Sequence, residues 1–161
     1  MTNDPKRTEK LSEDACWARL RTAEVARLAV IVEDHPEIFP VNYVVDHGSL
    51  VFRTAEGTKV HAALSESRVA VEVDGVDAPD EGSGTEAAHA WSGVLKGSAE
   101  QITATDELMD TTALPLTPWQ TGPKGKFVRI TPSEVTGRWF PVASPEEWRT
   151  SVSGTPHASD E

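Results

Sequence analysis

At 161 residues the chain has the length of one domain, and it carries a formal net charge of −11. Such acidity excludes a reader of nucleic-acid phosphates, which needs a basic face, and points to a small-molecule partner instead. Cys16 is the single cysteine, so an intrachain disulfide and multi-cysteine metal centres are excluded.

Residues 1–10 are polar and charged, and a disordered tail without the apolar core of a secretory signal is expected there. Ser12 is placed to cap a short helix, with Glu13 and Asp14 in its first turn and Cys16, Trp17 and Leu20 on one face. Leu28–Val32 is a β-branched apolar run and reads as a buried strand. A turn is expected at His35-Pro36-Glu37, with the next strand beginning near Phe39 and running to Val45. Asp46-His47-Gly48-Ser49 then joins that strand to Leu50–Thr54 as a hairpin. Both apolar runs, Leu28–Val32 and Val41–Val45, are far too short to cross a bilayer, so no membrane segment and a cytoplasmic location are expected.

Apolar residues at helical spacing predict a short helix over 58–64. Val69–Val73 is another strand, and the Gly-, Asp- and Pro-rich stretch 75–86 an exposed loop. Ala90–Ile102 reads as one long strand, in which Gly93 and Gly97 allow a bend or bulge. A helix is predicted over 105–112, then a loop over 114–126, then two strands at Phe127–Ile130 and Val135–Phe140. Ser144-Pro145-Glu146-Glu147 fits the start of a helical turn, and a second tail is expected over 149–161. About six strands in hairpin-like order with short helices between them predict a mainly β fold, an antiparallel barrel over 11–148.

The segment 53–59 gathers Arg53, Thr54, Thr58 and Lys59 directly after a strand and before a helix start. Arginine donors, hydroxyls, a lysine point charge and helix N–H groups are what phosphate recognition uses. The same residues also suit an ordinary strand-to-helix turn with solvated charges. The five histidines show no metal-ligand spacing, and no nucleophile-elbow motif accompanies the serines.

Taken together, Pro40–Val45, Gly48–Thr54, Gly57-Thr58-Lys59, Val69–Asp74, Trp91–Gly97 and Val135–Phe140 resemble the pattern of pyridoxamine 5′-phosphate oxidase-like proteins of the actinobacterial type. The resemblance covers about residues 12–140 in order. It implies a split barrel that forms a homodimer and holds FMN in two clefts between subunits. On that basis Arg53, Thr54, Thr58 and Lys59 would hold the FMN phosphate. Val41 and Asn42 would lie beside the isoalloxazine ring, and Trp91 and Ser92 near the cofactor on the long strand. Trp91 equally suits core or interface packing. Trp119, Arg129 and Trp139 are weaker matches to partner-chain contacts.

A flavin oxidoreductase acting on a small molecule is the implied activity, with nitroimidazole-reductase-like relatives nearest in pattern. Two alternatives stay open. One is an F420-dependent reductase, its acidic cofactor tail met by Lys96, Lys124, Lys126 and Arg129. The other is a non-catalytic flavin- or haem-binding module.

Overall fold

Apolar and polar residues alternate along most of the strands, and that period-2 pattern decides which side of each strand faces inward. The structure, a computed structural model, describes residues 7–55, 68–77, 88–103, 111, 114–116 and 125–142. Among them are one helix, α1 (Glu13–Leu20), and the strands β1 (Glu9–Lys10), β2 (Val25–Val32), β3 (His35–Asp46), β4 (Ser49–Thr54), β5 (Arg68–Asp77), β6 (His89–Gln101) and β7 (Lys126–Pro141). The sheet order is β1-β7-β4-β3-β2-β5-β6, and β6 also pairs with β7. Six antiparallel strands therefore close into a ring, as expected for a split barrel.

Leu28, Val30, Leu50, Phe52, Val71, Val73, Leu95, Val128 and Ile130 fill the interior. Full burial of a Leu or Phe is worth about 1.5–3 kcal/mol over leaving it exposed, so this layer dominates stability. Helix α1 docks onto the barrel through Cys16, Trp17 and Leu20, all buried. Ser12 caps it as expected, its hydroxyl accepting from the Ala15 N–H at 3.2 Å. The buried Tyr43 hydroxyl donates to the Leu20 carbonyl at 2.6 Å, tying the end of α1 to β3. Burial pushes that phenol well above its ordinary range.

Three features differ from expectation. The β2–β3 turn sits at Glu33-Asp34 rather than His35-Pro36-Glu37, and β3 already begins at His35. Both turn residues have positive φ, 49° and 66°, the geometry a two-residue hairpin needs but which non-glycine residues seldom adopt. Pro36 and Pro40 are tolerated inside β3 because β4 pairs only with Tyr43–Asp46. By the alternation of an antiparallel ladder, both prolines turn their missing N–H toward that unpaired edge.

The last strands are one strand of 16 residues, β7, rather than two. Pro132 and Ser133 interrupt the apolar pattern without ending the strand, because the β6–β7 register shifts between Lys96 and Gly97 at that point. A Cβ on Gly97 would lie 2.1 Å from the Thr131 carbonyl oxygen, so only glycine allows this approach. Finally, Glu9 and Lys10, placed in the tail by the sequence, pair with Trp139 and Arg138 of β7.

The helices expected over 58–64 and from 144 onward lie outside the described residues, as do most of 105–112 and the loop beyond Asp77. No helix among the described residues is long and apolar enough to cross a membrane.

Replacing Glu33-Asp34 by Asn-Gly (Glu33→Asn/Asp34→Gly) relieves two left-handed non-glycine residues. A gain of about 1 kcal/mol in urea unfolding is expected. An unchanged or lowered midpoint would show that this turn is not strained.

Candidate functional site

The hairpin that carries the candidate site is built from a short-range rule and one long-range clasp. His47 and Gly48 have φ of 47° and 70°, so the two-residue connection matches the twist of β3 and β4. From β7, the strand beside β4, Arg129 reaches the hairpin. Its guanidinium lies 3.0 Å from the Asp46 carboxylate and donates to the Ser49 hydroxyl. That hydroxyl in turn donates to the Asp46 carbonyl. Burial would raise the Asp46 carboxyl, but the hydrogen bonds and charges of Arg129 and His47 outweigh it and hold it below the usual range.

This clasp fixes the closed end of the β3–β4 pair. At the other end the pair opens, because beyond Tyr43↔Phe52 no further β3–β4 pairing is formed. One step on in that register, Asn42 stands opposite Arg53, both on the outer wall. The Arg53 guanidinium lies 5.0 Å from the centre of the Phe127 ring, a cation–π contact that holds its stem. Lys126 stands opposite Thr54 and brings a second cation to this end of the sheet. A cleft of 280 Å³ lies beside Asn42, walled by Arg21, Glu24, Val44 and Pro115.

The sequence-predicted residues divide into groups. Asn42 and Arg53 share the outer face at the mouth of the split. Val41 points inward and packs against the core, and Thr54 is buried with Leu50 and Phe52; their backbones turn to the neighbouring strands β2 and β7. Thr58 and Lys59 lie outside the described residues.

Trp91 is 4% exposed and belongs to the core, where its ring covers Gly75. Ser92 faces outward but pairs with Arg138, eleven residues along β7 from the Phe127 that faces Arg53. At about 3.3 Å per residue those positions are tens of ångströms apart along the strand. Within one chain, Trp91 and Ser92 do not meet Arg53.

Two of the weaker matches have other tasks in this chain. Arg129 is held by the hairpin clasp. The Trp139 ring stacks on His89 with centroids 3.8 Å apart, and its indole N–H donates to Asp77 at 3.2 Å. Asp77 also pairs with Arg19 of α1 at 3.0 Å. Of the four cations considered for an F420 tail, Arg129 is clasped, Lys96 lies 3.6 Å from Glu134 on the outer wall, and Lys124 is outside the described residues. Arg21 was invisible as a site residue, since in sequence it is only the residue ending α1.

The sequence profile of the family described as pyridoxamine 5′-phosphate oxidase matches residues 12–139. The chain belongs to the pyridoxamine 5′-phosphate oxidase family. A solved Corynebacterium glutamicum protein, provisionally described as a pyridoxamine 5′-phosphate oxidase, is 33% identical with a TM-score of 0.72, covering 89% of this chain and 99% of its own. The solved FAD binding protein of Mycobacterium smegmatis is 31% identical with a TM-score of 0.68, covering 83% of this chain and 98% of its own. An uncharacterized Mycobacterium tuberculosis protein is 32% identical over 97 residues, 60% of this chain and 80% of its own. In this oxidase-family chain the β3–β4 ladder stops at Tyr43 and Phe52, with Asn42 and Arg53 the next residues on each strand.

The depressed Asp46 carboxyl stabilises the fold above the ordinary aspartate range, near pH ~4, and the benefit is lost as pH falls through its lower folded value. Asp46→Asn should therefore cost about 1–3 kcal/mol near neutrality, in a pair that is largely but not fully buried. The gap from wild type should shrink in acid, read by urea unfolding across pH. A gap independent of pH would show that the Arg129 clasp does not act through charge.

Proposed function

We propose that the chain is a flavoprotein oxidoreductase that holds FMN at the β3–β4 split and acts on a small molecule. The observation that carries this reading is the outward placement of Asn42 and Arg53 just past the last β3–β4 pair, Tyr43↔Phe52, with Lys126 at the same end of the sheet. A guanidinium with a fixed stem supplies directed donors to a phosphate, and it does so on a chain whose overall charge would otherwise repel one. Thr58 and Lys59, outside the described residues, follow in the sequence, and on this reading they would add a hydroxyl and a point charge. The open edge of β3 offers the backbone groups of Asn42 to the polar rim of a planar ring, while Val41 turns its own toward β2. The bound flavin supplies the electron or hydride transfer, while the chain binds, orients and shields it.

The separation of Ser92 from Arg53 along β7 supports a homodimer. If both segments contribute to one site, the second must come from another copy, and a twofold axis supplies two such clefts at once. The relative at 31% identity is named for FAD. FAD contains the FMN half, so the same Arg53 contact serves either nucleotide, and both belong in the test. A cytoplasmic setting and a nitro- or quinone-type acceptor complete the proposal.

The test is the absorption spectrum of purified protein after gel filtration, with added FMN, FAD, F420 and haem in separate samples. FMN bands should be retained, and Arg53→Ala should weaken retention about tenfold to a hundredfold, the loss of a charge-assisted phosphate contact. Retained flavin should be reduced by a nicotinamide donor and reoxidised by a nitroaromatic compound. Loss of all flavin from the wild-type protein would sink the proposal, and flavin that is retained but never turns over would leave a binding module.

A further inference from the structure

A second opening, a trough of 770 Å³, lies on the outer wall where β2, β5, β6 and β7 pass the bulge. It shares no residue with the cleft beside Asn42. It lies where the β2–β5 pairing ends at Ala29↔Ala70, next to the register shift at Lys96/Gly97. The floor is apolar and low: Ala29, Ala70 and Pro36 leave space, and Ile31 stands 47% exposed at its side. An open apolar surface of this kind on a soluble domain calls for an occupant.

The rim indicates which occupant. Arg68 and Lys96 line it, on a chain of net charge −11. The Arg68 side chain is exposed, and among the described residues it has no hydrogen-bond or ion-pair partner. Lys96 faces Glu134 at 3.6 Å, with both side chains more than half exposed. The hydroxyls of Ser98 and Thr131 stand at the same end of the trough.

We infer that this trough is a ligand site for an amphipathic monoanion, with an apolar body over Ala29, Ala70 and Ile31 and a carboxylate in the fork of Arg68. Lys96 supports the carboxylate as a point charge. A cation is disfavoured by the rim. A polyanion is disfavoured by Glu134 and the overall charge, and a neutral apolar molecule leaves Arg68 without a role. The volume falls in the range of small-molecule sites. The site is independent of the flavin reading, being formed by a different wall of the barrel.

The experiment is calorimetric titration of the full chain with decanoate, below its micelle concentration, and with decanol in parallel. One saturable decanoate site per chain is expected, with decanol about tenfold weaker. Arg68→Gln/Lys96→Gln should reduce decanoate affinity about tenfold or more, and Ala70→Trp should abolish binding by filling the floor. All variants lie on exposed strand faces, and thermal melting checks that they fold. No saturable binding to wild type, or binding that ignores both substitutions, overturns the inference. If decanoate fails to bind while Ala70→Trp alters the oligomeric state in gel filtration, the trough is a subunit interface and the inference is likewise overturned.

Discussion

The ladder between β6 and β7 is the constraint on which the rest of the structure depends. Without it, β7-β4-β3-β2-β5-β6 would be an open sheet with two bare edges and an interior facing water. With it, the sheet becomes a ring that buries Phe52, Leu28, Leu95 and Ile130 completely. The pairing extends over two long strands, and such strands can follow a closed surface only if they bend. Gly97 provides the bend, because no side chain could stand where Thr131 approaches. The trough on the outer wall lies beside this irregularity, where β2 and β5 also part beyond Ala29 and Ala70.

The β3–β4 ladder stops short of the ends of its strands, and that opening gives the molecule its candidate site. The Arg129–Asp46 clasp holds the hairpin end of β3 and β4 together, while Pro36 and Pro40 deny two ladder hydrogen bonds to any strand that would continue along the open edge of β3. A barrel that opens only beyond Tyr43 and Phe52 keeps its core dry and still exposes backbone, Asn42 and Arg53 at the mouth. Prolines on this edge also protect it from pairing with other chains, a general hazard of exposed strands.

Charge is distributed in the same spirit. The chain is strongly acidic, yet Arg53 stands on the outer wall near the split, and Arg68 and Lys96 at the trough. Against a negative background, a small cationic spot focuses attraction for an anion that fits it while repelling extended polyanions. The exposed Arg27 pairs with Glu72 and Asp74 instead, which neutralises the outer wall between β2 and β5.

The sequence by itself determined the fold class, the Ser12-capped helix, the hairpin at His47-Gly48 and the possibility of a bulge at Gly97, because each rests on local periodicity, capping or backbone freedom. It also marked Arg53 and Asn42, since residue type and order along the chain are local properties. It misplaced the β2–β3 turn because Pro36 is a stronger local signal than Glu33-Asp34, and it divided β7 because Pro132 reads as a break unless the bulge opposite it is known. Only the tertiary structure decided which side of the wall each residue faces. Val41 and Thr54 proved to face the core, Trp91 to be packing, and Arg129 to be a clasp, as strand register and closure set these directions over long sequence separations. Arg21 and the trough were out of reach for the same reason: their surroundings are assembled from strands that meet only when the ring closes.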